Sequence, residues 1–112
     1  ALSPRDRNVT AIATANDSTA IGLVSALTTS GLCVPVDMSV IGTDDITEAC
    51  YQIPALTTVQ MDHEGQGAVS VAAVISATEG TAIASHVQFK PPSVIDRDST
   101  AARRGTQSIT HV

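Results

Sequence analysis

Aromatic residues are nearly absent: Tyr51 and Phe89 are the two among 112 residues, and there is no Trp. A core assembled around stacked rings is thereby excluded. With hydrophobic residues at 43%, the interior has to be built from Val, Ile, Leu and Ala, which favours helices packed closely on a sheet. Basic residues are scarce as well. Between residues 8 and 102 only Lys90 and Arg97 occur, while carboxylates recur throughout and the chain carries a formal charge of −5. Nucleic-acid binding relies on clustered Lys and Arg that neutralise phosphates, so direct DNA contact by this stretch is excluded. Arg103 and Arg104 lie in a Thr/Gln/Ser-rich tail that reads as a solvated terminus.

No run approaches the roughly 20 apolar residues of a membrane span. The opening "ALSPRDRN" lacks the apolar centre of a signal peptide, so no membrane partner and a cytoplasmic location are expected. A first residue of Ala rather than Met suggests a fragment whose original start is missing. Cys33 and Cys50 fit neither a CxxC redox pair nor a paired-knuckle zinc site, which leaves two reduced thiols. The three His residues show no short ligand spacing, no G-x-S-x-G elbow marks a nucleophile, and "EGQGAV" lacks the Lys of a phosphate loop. No catalytic activity, metal or cofactor is expected. The length allows about one small domain, or a piece of one.

What is present alternates between strand and helix. "NVTAIATA" (8–15) reads as a buried strand. Asn16, Asp17 and Ser18 then start a helix whose Ala20, Ile21, Leu23, Val24 and Leu27 recur at helical spacing until Gly31. After a connection broken by Pro35, "VIG" (40–42) resumes an apolar strand ending at Asp44 and Asp45. This is the strand-helix-strand unit of a parallel sheet, and the fold class is α/β. "DITEACYQ" has room for one or two helical turns before Pro54, and "LTTVQM" (56–61) has the β-branched content of a strand. A second helix is capped by Asp62, favoured by Glu64 at its positive end, apolar from Val69 to Ile75, and stopped by Gly80. "HVQF" and "SVI" read as short strands, followed by a polar end.

In open α/β sheets ligands bind beyond the carboxyl ends of the strands. Two such ends, "ATAND" and "VIGTDD", place Asn16, Asp17, Asp44 and Asp45 at one edge of the sheet. A carboxylate beside an amide suits a hydroxyl-rich ligand, because Asp accepts several hydrogen bonds while Asn donates and accepts. Asp17 and Asp45 are most simply helix caps or first-turn residues. Asn16 and Asp44, closest to the strands, are the ligand candidates.

"AIATANDSTAIGLVSALTTSGLCVPVDMSVIGTDDI", "PALTTVQMDH" and "VIDRDST" together resemble the C-terminal half of the inducer-binding core of the lactose and galactose repressor (LacI/GalR) family of bacterial transcription regulators. The blocks fall in order over residues 9 to 100: the NDxxAxG helix start, GLxVPxDxSVIGxDD, PxLTTV and the RxST ending. The resemblance implies an incomplete periplasmic-binding-protein-like (type I) fold. Residues 1–55 would belong to the C-terminal lobe, 56–100 to a crossover and part of the other lobe, and 101–112 to a polar tail. It implies a small-molecule effector, sugar or nucleobase-like, and operator DNA bound only through an N-terminal headpiece that has no counterpart here. The family's ligand-contacting amide falls on Asn16 and its ligand-binding carboxylate on Asp44. Thr43 replaces the usual aromatic before the acidic pair, and Met61-Asp62 stands where relatives often carry Gln. His63 falls where some relatives place an aromatic near the cleft. The family dimerises through its cores, which puts Ile21 and Tyr51 at a homodimer interface.

Two alternatives share parts of this pattern. A periplasmic-type sugar-binding protein of a transport system has the same fold and the same strand-end polar groups. A receiver-like signalling domain combines an acidic pair with a Lys-Pro, as Asp44-Asp45 and Lys90-Pro91 do. A receiver carries that pair on its first strand, however, and here a whole strand-helix unit precedes it.

Overall fold

Asn16 opens the first helix by committing its side chain to the backbone. In the computed structural model, which describes residues 9–83, 87 and 89–103, its Oδ1 accepts the Thr19 N–H at 2.8 Å. That N–H is one of the donors a helix's first turn leaves unpaired. The helix, α1 (Asp17–Thr29), follows a short strand, β1 (Ala11–Ala13). Ala20, Val24 and Leu27 share one side of α1 and are buried. The helix is followed by Gly31 at φ +84°, a backbone conformation that favours glycine.

Beside β1 runs β2 (Ser39–Thr43), parallel, with Val40 opposite Ile12. Next comes β3 (Thr57–Gln60), also parallel, with Thr58 opposite Gly42. A 3₁₀ turn at Thr47–Tyr51 lies between them. β4 (Ser93–Ile95) pairs with β3 in the antiparallel sense, and the sheet order is β1-β2-β3-β4. The expected strand-helix-strand unit is β1-α1-β2. Receiver-like folds run 2-1-3-4-5, so this order removes the receiver alternative.

The core lies between α1 and the sheet. Ala20, Val24, Leu27, Met38, Val40, Ala49 and Leu56 form it, with Ile12, Ile21, Leu32 and Ile46 packed against it. It contains no ring, as the composition requires. The second helix, α2 (His63–Glu79), is capped by Asp62, whose Oδ1 accepts the Gly65 N–H at 3.0 Å, and is followed by Gly80 at φ +70°. None of its residues is buried, and Val71, Val74 and Ile75 stand exposed.

Two sequence expectations, the strands at 8–15 and at "HVQF", need correction. The stretch expected as a buried strand at 8–15 is a strand only at Ala11–Ala13, and both alanines are exposed. With β2 as its one neighbour in the described sheet, β1 lies at an edge rather than inside. β3 and β4, from beyond residue 55, join the same sheet as β1 and β2. Of the expected "HVQF" strand, Val87 and Phe89 carry no strand pairing and the other two positions lie outside the described residues.

The RxST ending joins β2 to β3 at their starts. Ser99 is fully buried. Its Oγ donates to the Val40 carbonyl at 2.6 Å and accepts the Thr57 N–H at 2.8 Å, while its own carbonyl accepts the Val40 N–H at 2.9 Å. One hydroxyl therefore satisfies a buried donor and a buried acceptor on different strands. Ser99→Ala strands both groups. It is expected to lower unfolding stability by about 2–3 kcal/mol, read as a fall in the urea midpoint at unchanged slope.

Candidate functional site

The carboxyl end of β2 turns sharply at two aspartates with positive φ, Asp44 at +110° and Asp45 at +54°. Asp45 sits in the left-handed region that Asp tolerates; Asp44 lies beyond it, a conformation that stores about 1–3 kcal/mol and persists only where its surroundings fix it. Three successive N–H groups supply that fixing. Asp44 N–H reaches the Val59 carbonyl at 2.9 Å, Asp45 N–H the Thr58 hydroxyl at 3.3 Å, and Ile46 N–H the Asp17 Oδ2 at 2.9 Å.

The turn sends its two carboxylates apart. Asp45 is 16% exposed and is clamped inward: Arg97 Nη2 donates to its Oδ1 at 2.7 Å and Gln60 Nε2 to its Oδ2 at 3.0 Å. Arg97 also donates to the Leu56 carbonyl at 2.8 Å. Asp45 is thus not a helix cap; Ile46 occupies that place before the 3₁₀ turn. Asp44, 34% exposed, has its Oδ1 3.3 Å from His63 Nε2.

Asp44 and His63 line a hollow of about 320 Å³ with Met61, Asp62, Glu64 and Lys90. Three acidic residues and one lysine line it. The positive end of α2 is already occupied, because Asp62 caps Gly65 through Oδ1 and accepts the Lys90 N–H through Oδ2 at 3.2 Å. The hollow offers acceptors and an imidazole, and its charge disfavours an anion. A larger hollow of about 500 Å³ opens beside Thr10, Pro35, Val36 and Thr100, at the opposite ends of β1 and β2, away from these groups.

Of the residues singled out in the sequence, the structure brings Asp44 and His63 together. Thr43 is spaced one residue from the hollow and donates its hydroxyl to the Thr14 carbonyl at 3.3 Å. Asn16 caps α1 and does not line the hollow. Ile21 is partly buried and packs against this chain's own core. Tyr51 is 76% exposed, and Ile53 beside it 95%. Asp17, expected as a cap or first-turn residue, is the first residue of α1 and is fully buried. Lys90 and Arg97 were missed as contributors, although they are the only basic residues in the long acidic interval, which is the signal that marked them. Among the described residues no cluster of His, Cys, Asp and Glu is arranged to hold a metal, and no helix is long and apolar enough to cross a membrane.

Residues 2–100 match the family described as periplasmic binding protein-like domain. The chain is 39% identical over 93 residues to the lactose operon repressor of Escherichia coli K12, covering 83% of this chain and 26% of that one. It is 32% identical over 110 residues to the HTH-type transcriptional regulator GalS of Salmonella typhimurium, covering 98% and 32%. A lac repressor dimer bound to operator and the anti-inducer ONPF superposes with a TM-score of 0.70 at 39% identity, covering 83% of this chain and 32% of that one. The chain therefore spans about a quarter to a third of the length of these relatives.

The clamp on Asp45 is open to test. Arg97→Met removes the partner of a largely buried carboxylate and of the Leu56 carbonyl. A loss of about 2 kcal/mol is expected in urea unfolding, allowing for the remaining solvent screening of the pair.

Proposed function

This chain belongs to the periplasmic binding protein-like domain family, in its LacI/GalR repressor branch, and we propose that it supplies one wall of the effector cleft of a cytoplasmic transcriptional regulator. The observation that carries the proposal is the Asp44–His63 pair at the carboxyl end of β2, on the rim of an acidic hollow. Asp44 accepts ligand hydroxyls and His63 offers a ring nitrogen beside it. Thr43 lies next to this pair and Asn16 at the neighbouring strand end, and both contribute at the rim rather than inside.

The effector we infer is a small neutral polyhydroxylated molecule. Its hydroxyls can bridge Asp44 and the other acceptors of the hollow. A phosphate ester would meet three carboxylates with a single ammonium to offset them, and the helix end that would otherwise welcome it is filled by Asp62. The scarcity of basic residues supports operator binding by parts of the parent protein outside this chain. Exposed Tyr51 and Ile53 support a homodimer face around the 3₁₀ turn, to which the family resemblance adds Ile21.

The full-length parent is the material for the test. Neutral mono- and disaccharides, each paired with its phosphate ester, are titrated calorimetrically while operator affinity is followed. A neutral sugar is expected to bind and to change operator affinity, and Asp44→Asn to weaken that sugar about tenfold or more, as loss of a charged hydrogen-bond acceptor does. Equal binding of the phosphate esters refutes the effector class. Unchanged sugar affinity in Asp44→Asn refutes the site.

A further inference from the structure

Asp17 is fully buried at the start of α1, although the helix has no need of it there, because Asn16 already caps the first turn. Burying a carboxylate costs several kcal/mol unless donors are in place around it. Two donors are. Thr58 Oγ1 gives its proton to Asp17 Oδ1 at 2.6 Å, and Ile46 N–H reaches Oδ2 at 2.9 Å. The same Thr58 oxygen accepts the Asp45 N–H. Space is reserved for the group as well: a Cβ on Gly42 would run into the Asp17 carboxylate and stand 3.1 Å from Leu56 Cδ2. Three separate segments thus converge on one side chain that touches no solvent.

We propose that Asp17, acting through Thr58, is a positioning residue for Asp44: it fixes the Asp45 and Ile46 amides and so holds Asp44 in the backbone conformation that presents its carboxylate to His63 and the hollow. The inference rests on the functional reading above only for its effect on effector binding. The geometry accounts for three features together. Gly42 carries no side chain because the carboxylate fills that space. Thr58 bears a hydroxyl because it has to donate and accept at once. Asp44 keeps φ +110° because the amides on its C-terminal side are anchored to a buried charge.

Thr58→Val keeps the branched shape and removes the hydroxyl; Thr58→Ser restores it. In the 112-residue chain, NMR follows amide exchange at Asp45 and Ile46 against Val40, together with the His63 imidazole resonances. Thr58→Val is expected to speed exchange at Asp45 at least tenfold relative to Val40 and to shift the His63 signals, and Thr58→Ser to reverse both. A uniform loss of stability with Asp45, Ile46 and His63 unchanged relative to Val40 overturns the proposal. So does failure of Thr58→Ser to restore them. Asp17→Asn is expected to behave as Thr58→Val does; should it fail to fold, the Thr58 pair decides.

In the full-length parent, with lactose and galactose as probes, Thr58→Val is expected to raise the Kd of whichever sugar binds about tenfold, leaving sugar-free operator affinity within twofold. An unchanged Kd beside altered Asp45 exchange overturns the link to binding. If Asp44→Asn also binds normally, the functional reading has failed, while the exchange data still decide whether Asp17 holds the turn.

Discussion

A negative charge inside a small aliphatic core tolerates little rearrangement, and the Asp17 carboxylate makes the surrounding architecture answer to that fact. Each oxygen requires a donor at a fixed position, and the donors come from the turn after β2 and from β3. The entry of α1, the missing side chain at Gly42 and the hydroxyl of Thr58 are consequences of one requirement. Hydrophobic packing of Ala20, Val24 and Leu27 brings α1 onto the sheet. Packing of small aliphatic groups is permissive of small shifts, and the hydrogen bonds of Asp17 are what fix the register of helix against strand ends.

The adjacent aspartates after β2 show how backbone geometry divides labour between identical side chains. Asp45 faces Arg97, which reaches it from the segment after β4, and is used up in holding the end of the sheet together. Asp44, one residue earlier, is turned to the other side, where its Oδ1 lies 3.3 Å from an exposed imidazole. Exchange of the two roles would require reversal of the turn. The sequence DD therefore encodes one structural and one available carboxylate, and the positive φ values are what separate them.

Local features were legible in the sequence, because their causes are local. The face of α1, the Asp62 cap, the glycines after both helices and the strand at "VIG" follow from spacing and from the preferences of single residues. The edge position of β1 was not, since an apolar run is the same string whether it has one neighbour or two. The Asp17–Thr58, Arg97–Asp45 and Ser99–Val40 bonds join residues 41, 52 and 59 positions apart, and no periodicity announces such partners. Asp17 was read as a first-turn residue, and it does occupy the first turn; what the sequence did not disclose is that its side chain points inward. Strand-end reasoning puts Asp44 at the ligand edge of the sheet, whereas His63 comes from resemblance, and their proximity needed the fold.

α2 has a consequence for how the chain responds to heat. A helix whose seventeen residues include none that is buried draws its order from its own backbone bonds, its Asp62 cap and the His63–Asp44 contact at its first turn. Lengths of this kind sit close to the margin for helices in water, where melting is a gradual helix–coil process. The α1–sheet unit, by contrast, removes apolar surface from water and carries the heat-capacity change that bends a stability curve. The α1–sheet unit is therefore expected to give the calorimetric transition of this chain, and α2 a gradual loss spread across temperature and seen mainly in the far-ultraviolet.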